Sequence, residues 1–395
     1  MFTKTRAIIP LNNRIEVLSK NDLNKDIQRL FNPFNAVMTL LFSSKYSISN
    51  NKITPRGRKY NIVRLLGIFC AMMVTSFRMY KTYMSRNVAA KSIKDPMLLF
   101  VYFCMPFLNF ATFFSCCIND IVNTQDNVVI IKMIQNLNTD VAFSQIRNFI
   151  LWNWMSLVMV IGVDAFVYLS TIIYIGNLSV INTVSEIFFS VNDIDFVYTI
   201  RLQLLLTKFM EEWIAKVRSI NGVVDEDSHY TKMLETYKNI LKAYNVFKKL
   251  SERLITFRVT SAFYRNLCIF QFILCLLRKW GPLFRNSFEI PQSELIIIIK
   301  SVSTMVKMIL IIVIHCQYSE KFNMTVEEAK VACILQMKNT NCPKAEKQSC
   351  KNVLRENVTF SKMTACGLFY IDGRLPLCLL GLLTQYFVVL LQFAL

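Results

Sequence analysis

The chain has 395 residues, of which 54% are hydrophobic and 18% are charged, a composition too apolar for an ordinary soluble domain. A net charge of +19 would suit a nucleic-acid partner. However, the basic residues lie mostly between apolar runs and form no stripe with aromatic side chains, which argues against nucleic-acid binding. Residues 1–30 contain neither an apolar run nor a small-residue cleavage site, so no signal peptide is predicted.

Seven apolar segments are about 20 residues long or longer, which is enough for a helix to cross a bilayer. The sequence therefore predicts an all-α, polytopic membrane protein. A shorter run from Phe34 to Phe42 follows Pro33 and is too short to cross, so an interfacial or re-entrant segment is predicted there. The seven predicted spans are Ile62–Tyr83, Met97–Asn119, Asn148–Ile175, Val180–Thr207, Phe257–Trp280, Glu294–Cys316 and Leu368–Phe393.

The fourth span is unusual because it carries Glu186, Asp193, Asp195 and Arg201, and charged groups are costly in lipid. The distribution of basic residues nevertheless supports it. With seven spans, the Lys/Arg-rich connections all fall on the cytoplasmic side, as the positive-inside rule requires. Residues 1–59 hold eleven Lys/Arg, residues 211–256 hold eight and residues 317–362 hold eight. The predicted orientation has the N-terminus inside and the C-terminus outside.

This topology divides the chain into six parts. They are a cytoplasmic N-terminal segment (1–59), spans one to four (60–210), a cytoplasmic helical linker (211–256), spans five and six (257–316), a second cytoplasmic linker (317–363) and a seventh helix (364–395). Asn177, in the sequence Asn-Leu-Ser, falls in a predicted external turn and is a candidate glycosylation site.

The linker at 211–256 is predicted to be helical, because apolar residues recur at three- and four-residue spacing with lysines between them. Such a stripe needs a protein partner. It could pack on its own loop, or spans four and five could continue into a cytoplasmic bundle. The stripe consists of Tyr230, Met233, Leu234, Tyr237, Ile240, Leu241, Tyr244 and Phe247.

No catalytic motif is present: the sequence has no phosphate-binding loop, no His-Glu-x-x-His and no nucleophile elbow. The histidines, His229 and His315, are far apart in the sequence, and no Cys-x-x-Cys pair occurs, so neither a metal site nor a cofactor is predicted. Most of the twelve cysteines lie in apolar runs, where cysteine behaves as a small hydrophobic residue. We therefore expect a protein that is not an enzyme.

The C-terminal part carries the most distinctive pattern. It reads Phe360-Ser-Lys-Met-Thr-Ala-Cys-Gly-Leu-Phe-Tyr-Ile-Asp372, and Tyr386 is then followed, after five apolar residues, by Gln392-Phe393. This ending resembles that of the insect gustatory receptors, in which a Thr-Ala-x-Gly-Phe-Phe-x-Leu-Asp-like stretch leads to Thr-Tyr-x5-Gln-Phe. His315-Cys316 followed by Glu320 is also similar to the family pattern. The chain departs at Gln385, where the family has threonine.

The resemblance implies a ligand-gated, cation-permeable channel in a sensory-neuron membrane, assembled as a homotetramer or as a heterotetramer with related receptors. Four copies of the last helix would surround the pore, with Gln392 and Phe393 as the gate and with Tyr386 and Leu391 beside it. A ring of phenylalanine can close a pore by dewetting, and a ring of glutamine can hydrate ions. Alternatively, Gln392 bonds only a neighbouring helix.

The family's ligand pocket lies in the outer half of each subunit, which implies candidates on spans two, three, four and six. Charged residues at that depth, with Lys300 and Lys307 on one face of span six, could instead form structural salt bridges. The ligand-pocket candidates are Tyr102, Phe103, Asp164, Tyr168, Glu186, Phe189, Lys300 and Thr304.

The ligand is expected to be a small-molecule tastant. Many sugar receptors of the family have an acidic residue just after the tyrosine, whereas this chain has Phe387. A bitter plant compound is therefore the preferred ligand. The alternatives are a sugar-type taste receptor, an odorant-receptor subunit and a membrane transporter. Inverted repeats and helices broken near the midplane would favour a transporter, and neither is clear in this sequence.

Overall fold

The computed structural model describes residues 22–88, 96–141, 143, 145–175, 180–219, 227–284, 292–339 and 342–394. Within these residues the chain forms a bundle of long helices and one small β-hairpin. The elements are α1 (Lys25–Leu40), β1 (Tyr46–Ser49), β2 (Lys52–Pro55), α2 (Arg58–Val88), α3 (Pro96–Val122), α4 (Thr124–Val141), α5 (Ile146–Ile175), α6 (Val180–Ser219), α7 (Asp227–Phe284), α8 (Gln292–Lys338), α9 (Lys344–Val358) and α10 (Leu375–Ala394).

Six of the described helices contain a stretch long and apolar enough to cross a membrane, namely α2, α3, α5, α7, α8 and α10. The fourth predicted span corresponds to α6, which is also one continuous helix. Among its described polar residues, Asn192, Asp193 and Asp195 are all buried against neighbouring helices. A charged helix is tolerated in a bundle when its charges face protein partners and not lipid.

The last helix begins at Leu375, later than the predicted start at Leu368. The preceding residues form a tight turn instead, in which the N–H of Ala365 donates to the carbonyl of Phe369 at 2.8 Å. Gly367 adopts a φ of +77° in this turn, a conformation that glycine reaches without strain. The segment from 364 onward is therefore a turn followed by a helix.

Three helices extend far beyond their predicted spans. The longest, α7, has 58 residues and is about 87 Å long at 1.5 Å per residue. A bilayer core is only about 30 Å thick, so much of α7 must lie outside it. The extended parts of α6, α7 and α8 pack with α9 into a second bundle.

The core of this second bundle is the predicted aromatic stripe, which confirms the helical reading of that linker. Tyr237, Tyr244 and Phe247 are almost fully buried. Tyr244 stacks on Phe322 of α8 with ring centroids 4.2 Å apart, and Tyr237 contacts Trp213 of α6. The continuation of the spans into a bundle is therefore the correct alternative. Because the stripe is buried within one chain, it does not require a second subunit.

Charged residues on the rim of this bundle join α6 to α8. Glu211 accepts from Lys208 at 2.7 Å and from Lys321 at 2.9 Å. Partial burial acts to raise the pKa of Glu211, but the two hydrogen bonds outweigh it, so the pKa lies below the usual value. These side chains are partly exposed, and the pairs contribute little to stability.

The predicted interfacial or re-entrant segment, Phe34 to Phe42, corresponds to the second half of α1 and the turn that follows it. The helix α1 runs through Pro33, which is buried in its middle. The helix packs on α5 and α6 through one apolar face. A β-hairpin that the sequence reading did not predict then follows, with Ser49 paired to Lys52 across a two-residue turn.

Candidate functional site

The last helix, α10, is packed on one side only. Pro376, Leu379 and Leu383 are buried at three- and four-residue spacing against α7 and α8. The opposite side is exposed and apolar except for two amides, Gln385 and Gln392, which lie seven residues apart and share one face. Within a single chain, this face has no cover among the described residues.

Gln385 is an exposed amide on this face that the sequence analysis does not count among the gate candidates. It was noted only as a departure from the threonine of the gustatory-receptor pattern. Its signal in the sequence was the seven-residue interval to Gln392, which puts both amides on one side of a helix.

The other gate candidates have distinct surroundings. Tyr386 is half-exposed and its ring meets that of Phe263 on α7, with centroids 5.7 Å apart. The next ring, Phe387, contacts Phe270 at 5.0 Å, and these two contacts attach α10 to α7. Leu391 is half-buried and Gln392 is exposed. The side chain of Phe393 lies outside the described residues.

A cluster of buried and partly buried charges joins four helices of the bundle. Lys307 of α8 hydrogen-bonds Asp193 of α6 at 2.6 Å and also Asp164 of α5. Arg258 of α7 donates to the other oxygen of Asp193. Two acids and two bases thus balance each other, which offsets the cost of taking them out of water.

Several ligand-pocket candidates lie next to this cluster. Asp164 and Tyr168 share a face of α5, and Lys300, Thr304 and Lys307 share a face of α8. The bond between Lys307 and Asp164 brings these two faces together. The structure thus places four of the eight candidates along one seam between α5 and α8.

The remaining four candidates do not lie on this seam among the described side chains. Phe103 is half-buried on α3. The side chains of Tyr102, Glu186 and Phe189 lie outside the described part of the chain, and so does Asn177.

A second charge cluster lies where the loop before β1 meets α3 and α6. Lys45, from the loop before β1, is fully buried and reaches Asp120 of α3 at 2.5 Å and Asp195 of α6 at 2.8 Å. Arg64 of α2 lies 3.8 Å from the same Asp120. This arrangement fastens the N-terminal hairpin to three helices.

Between the two clusters lies an internal cavity of about 10 Å³, roughly the space of one water molecule. Its lining includes Thr112, Asn192, Asp195, Thr199 and Arg258. Both amide atoms of Asn192 lack a hydrogen-bond partner among the described groups. A small polar cavity with unpartnered amide atoms is suited to a bound water.

The sequence analysis predicts salt bridges among the charged residues of the spans, with Lys300 and Lys307 on one face of span six. It does not identify the four other charged residues that take part, Lys45, Arg64, Asp120 and Arg258. A signal existed, since Arg64 and Arg258 lie inside or at the edge of predicted spans, where an ionisable group needs a counter-charge. Lys45 gave no such signal, because it lies in a connection and reaches its partners only through the fold.

The arrangement of helices is that of a multi-pass membrane protein. The structure resembles the insect olfactory receptor OR5 from Machilis hrabei, with a TM-score of 0.68, 9% sequence identity and coverage of 92% of this chain and 97% of that chain. The structure of that receptor in complex with eugenol matches with a TM-score of 0.65, 8% identity and coverage of 93% and 100%.

Neither the protein-family models nor the curated proteins give a match to the sequence. The likeness therefore concerns the fold. At that level it confirms the predicted all-α, polytopic architecture, and it shows a fold similar to that of an insect olfactory receptor.

Proposed function

We propose that the chain is a subunit of a ligand-gated cation channel of the insect chemoreceptor type, acting as a gustatory receptor in the plasma membrane of a sensory-neuron dendrite. The observation that carries the proposal is the uncovered face of α10. An amide facing lipid is costly, whereas amides around a central axis would contact water and ions. Gln385 and Gln392 suit that second setting.

The gate of this channel is proposed at Gln392 and Phe393. Phenylalanine rings meeting at the axis exclude water from a short neck, and a dry neck is a barrier to ions. Rotation of α10 would replace the rings by amides, which can take the place of part of an ion's hydration shell.

The proposed assembly is a tetramer, formed either by this chain alone or with related receptors. The aromatic stripe does not support it, because the stripe is buried within one chain. Its support is instead the exposed apolar side of α10 and a stripe on α8 composed of Met324, Val331 and Leu335, which are exposed at seven- and four-residue spacing. Uncovered apolar surface of this kind is typical of association sites.

The proposed ligand is a small tastant, with a bitter plant compound preferred because Phe387 stands where sugar receptors have an acid. The seam around Asp164, Tyr168, Lys300 and Thr304 is the proposed contact region. An odorant-receptor subunit is the second candidate, favoured by the likeness to an olfactory receptor solved with eugenol bound. A calcium-influx screen with plant metabolites, sugars and volatile phenols distinguishes the candidates.

The pore assignment is tested by currents from substituted channels. Phe393→Ala should raise ligand-independent current, and Gln392→Ala should change ion selectivity or stop conduction. Gln385→Ala should weaken conduction, because this amide shares the face of Gln392.

Thr384→Val is the matched control, since the Thr384 hydroxyl already donates to the carbonyl of Leu380 in its own helix at 2.8 Å. This control should conduct as the unmodified protein does. If all three test variants also conduct normally at equal surface expression, the pore lies elsewhere.

A further inference from the structure

The turn after α1 exposes an aromatic side chain on a backbone that would ordinarily hold glycine. The N–H of Ser43 donates to the carbonyl of Met38 at 2.8 Å, and the N–H of Phe42 donates to that of Thr39 at 3.2 Å. This pair of bonds is the Schellman ending of a helix, in which the left-handed position is usually glycine. Here Phe42 occupies it, with a φ of +57°.

Two of the three apolar side chains of this turn are exposed, whereas Leu41 packs against the core. Leu40 is 77% exposed and Phe42 is 54% exposed. Neither contributes to a core, so the unfavourable backbone of Phe42 gains nothing from packing within the chain. An exposed apolar pair beside a membrane-crossing helix is suited to insertion among lipids.

The start of α2 is bonded directly to this turn. Arg56 donates to the hydroxyl of Thr39 at 2.9 Å, and the Tyr60 hydroxyl accepts from the backbone of Ser44 at 2.9 Å. Arg56 also stacks on the ring of Tyr60, with 4.4 Å from its guanidinium carbon to the ring centroid. The turn and the first turn of α2 therefore form one surface.

This surface is cationic and lacks neutralising acids. Arg58 and Lys59 are exposed, and no ion pair joins them or Arg56 to an acid within the described residues. The sequence from Ile27 to Lys94 contains no aspartate or glutamate at all. Directly after these cations, the exposed apolar side of α2 begins with Ile62.

We propose that the α1–β1 turn and the start of α2 bind the headgroup of an anionic phospholipid in the adjacent leaflet. Arg58, Lys59 and Arg56 would contact the phosphate and the acidic headgroup, while Leu40 and Phe42 enter the acyl region. Cations next to apolar side chains match a lipid, whereas a soluble phosphate offers nothing to the apolar pair. This site is separate from the proposed pore and from the ligand seam.

The test is native mass spectrometry of the full-length protein in detergent, with phosphatidylserine and phosphatidylcholine as probes. The unmodified protein should bind phosphatidylserine more tightly. Arg58→Gln with Lys59→Gln should weaken that binding by roughly fivefold for each charge removed. Arg58→Lys with Lys59→Arg should retain it, which controls for folding.

Two further variants sharpen the result. Phe42→Gly keeps the left-handed backbone without strain, so weaker phosphatidylserine binding by this variant would be due to the missing ring. Lys52→Gln is the matched control, because Lys52 is exposed in the same acid-free segment but lies at the far end of the hairpin, about 10 Å along β2. It should bind as the unmodified protein does.

The source of the phosphate is distinguished by competition. Inorganic phosphate and glycerophosphoserine should not displace phosphatidylserine when present at the same concentration. The proposal is overturned if either soluble anion displaces the lipid fully, if phosphatidylcholine binds equally well, or if the double Gln variant retains the preference. None of these measurements requires channel activity, so failure of the proposed function leaves the result interpretable.

Discussion

At the scale of single residues, the stability of the bundle depends on charges that satisfy one another. Asp193 is buried and accepts from both Arg258 and Lys307. Replacing a buried carboxylate of this kind leaves two cations with less compensation than they need. An uncompensated buried charge is far more costly than a missing surface pair.

Asp193→Asn should therefore destabilise the protein by about 3 kcal/mol. Glu211→Gln, which weakens one partly exposed ion pair within α6 and one between α6 and α8, should cost less than about 1 kcal/mol. Thermal unfolding followed by fluorescence-detected size exclusion compares the two. Equal midpoints for both variants would contradict the central role given to Asp193.

The sequence reveals which buried charges exist but not which of them meet. Asp164, Asp193 and Lys307 are conspicuous because apolar residues surround them. Their pairing depends on how α5, α6 and α8 rotate about their axes, which packing along the whole helix decides. The cation that pairs with Asp195 is Lys45, which lies in a loop, and no local sequence pattern predicts this pairing.

At the scale of elements, helices could be predicted and the hairpin could not. The helical spacing of apolar residues in the stripe from Tyr230 to Phe247 correctly predicts the helix and its buried face. The hairpin strands have only four residues each. The available signal was Asn50-Asn51, both in the left-handed conformation with φ of 51° and 60°, since asparagine tolerates that region better than most residues do.

The hairpin is fastened to the bundle mainly by Lys45. Lys45→Met should leave Asp120 and Asp195 poorly compensated and release the hairpin, so its backbone amides should exchange faster with deuterium. Lys52→Met at the hairpin tip should leave exchange unchanged. Hydrogen-exchange mass spectrometry of peptides covering residues 46–55 makes the comparison, and equal protection in both variants would show that other contacts hold the hairpin.

At the scale of the whole molecule, the orientation in the membrane is predicted from basic residues alone. The N-terminus should face the cytosol and the C-terminus the exterior. Epitope tags at each end, probed with antibody on intact and on permeabilised cells, test this. Staining of an N-terminal tag on intact cells would show that the orientation is the opposite one, with every connection on the other side of the membrane.

Assembly should depend on the exposed stripe of α8. Val331→Asp with Leu335→Asp adds charge to side chains that are exposed in one chain, so the fold should persist while the tetramer falls apart into smaller species. Val358→Asp, at an exposed position on α9, is the control. Native mass measurement in mild detergent reads the subunit number, and intact tetramers in the double variant would place the interface elsewhere.

The continuous α7 helix also has a mechanical consequence. Its two ends lie about 43 Å on either side of its middle, so a tilt of only one degree would move each end by about 0.75 Å in opposite directions. α7 contacts α9 in the second bundle and touches α10 through Phe263 and Phe270. A continuous helix with these contacts acts as a lever, so a displacement of the second bundle would be transmitted directly to the last helix.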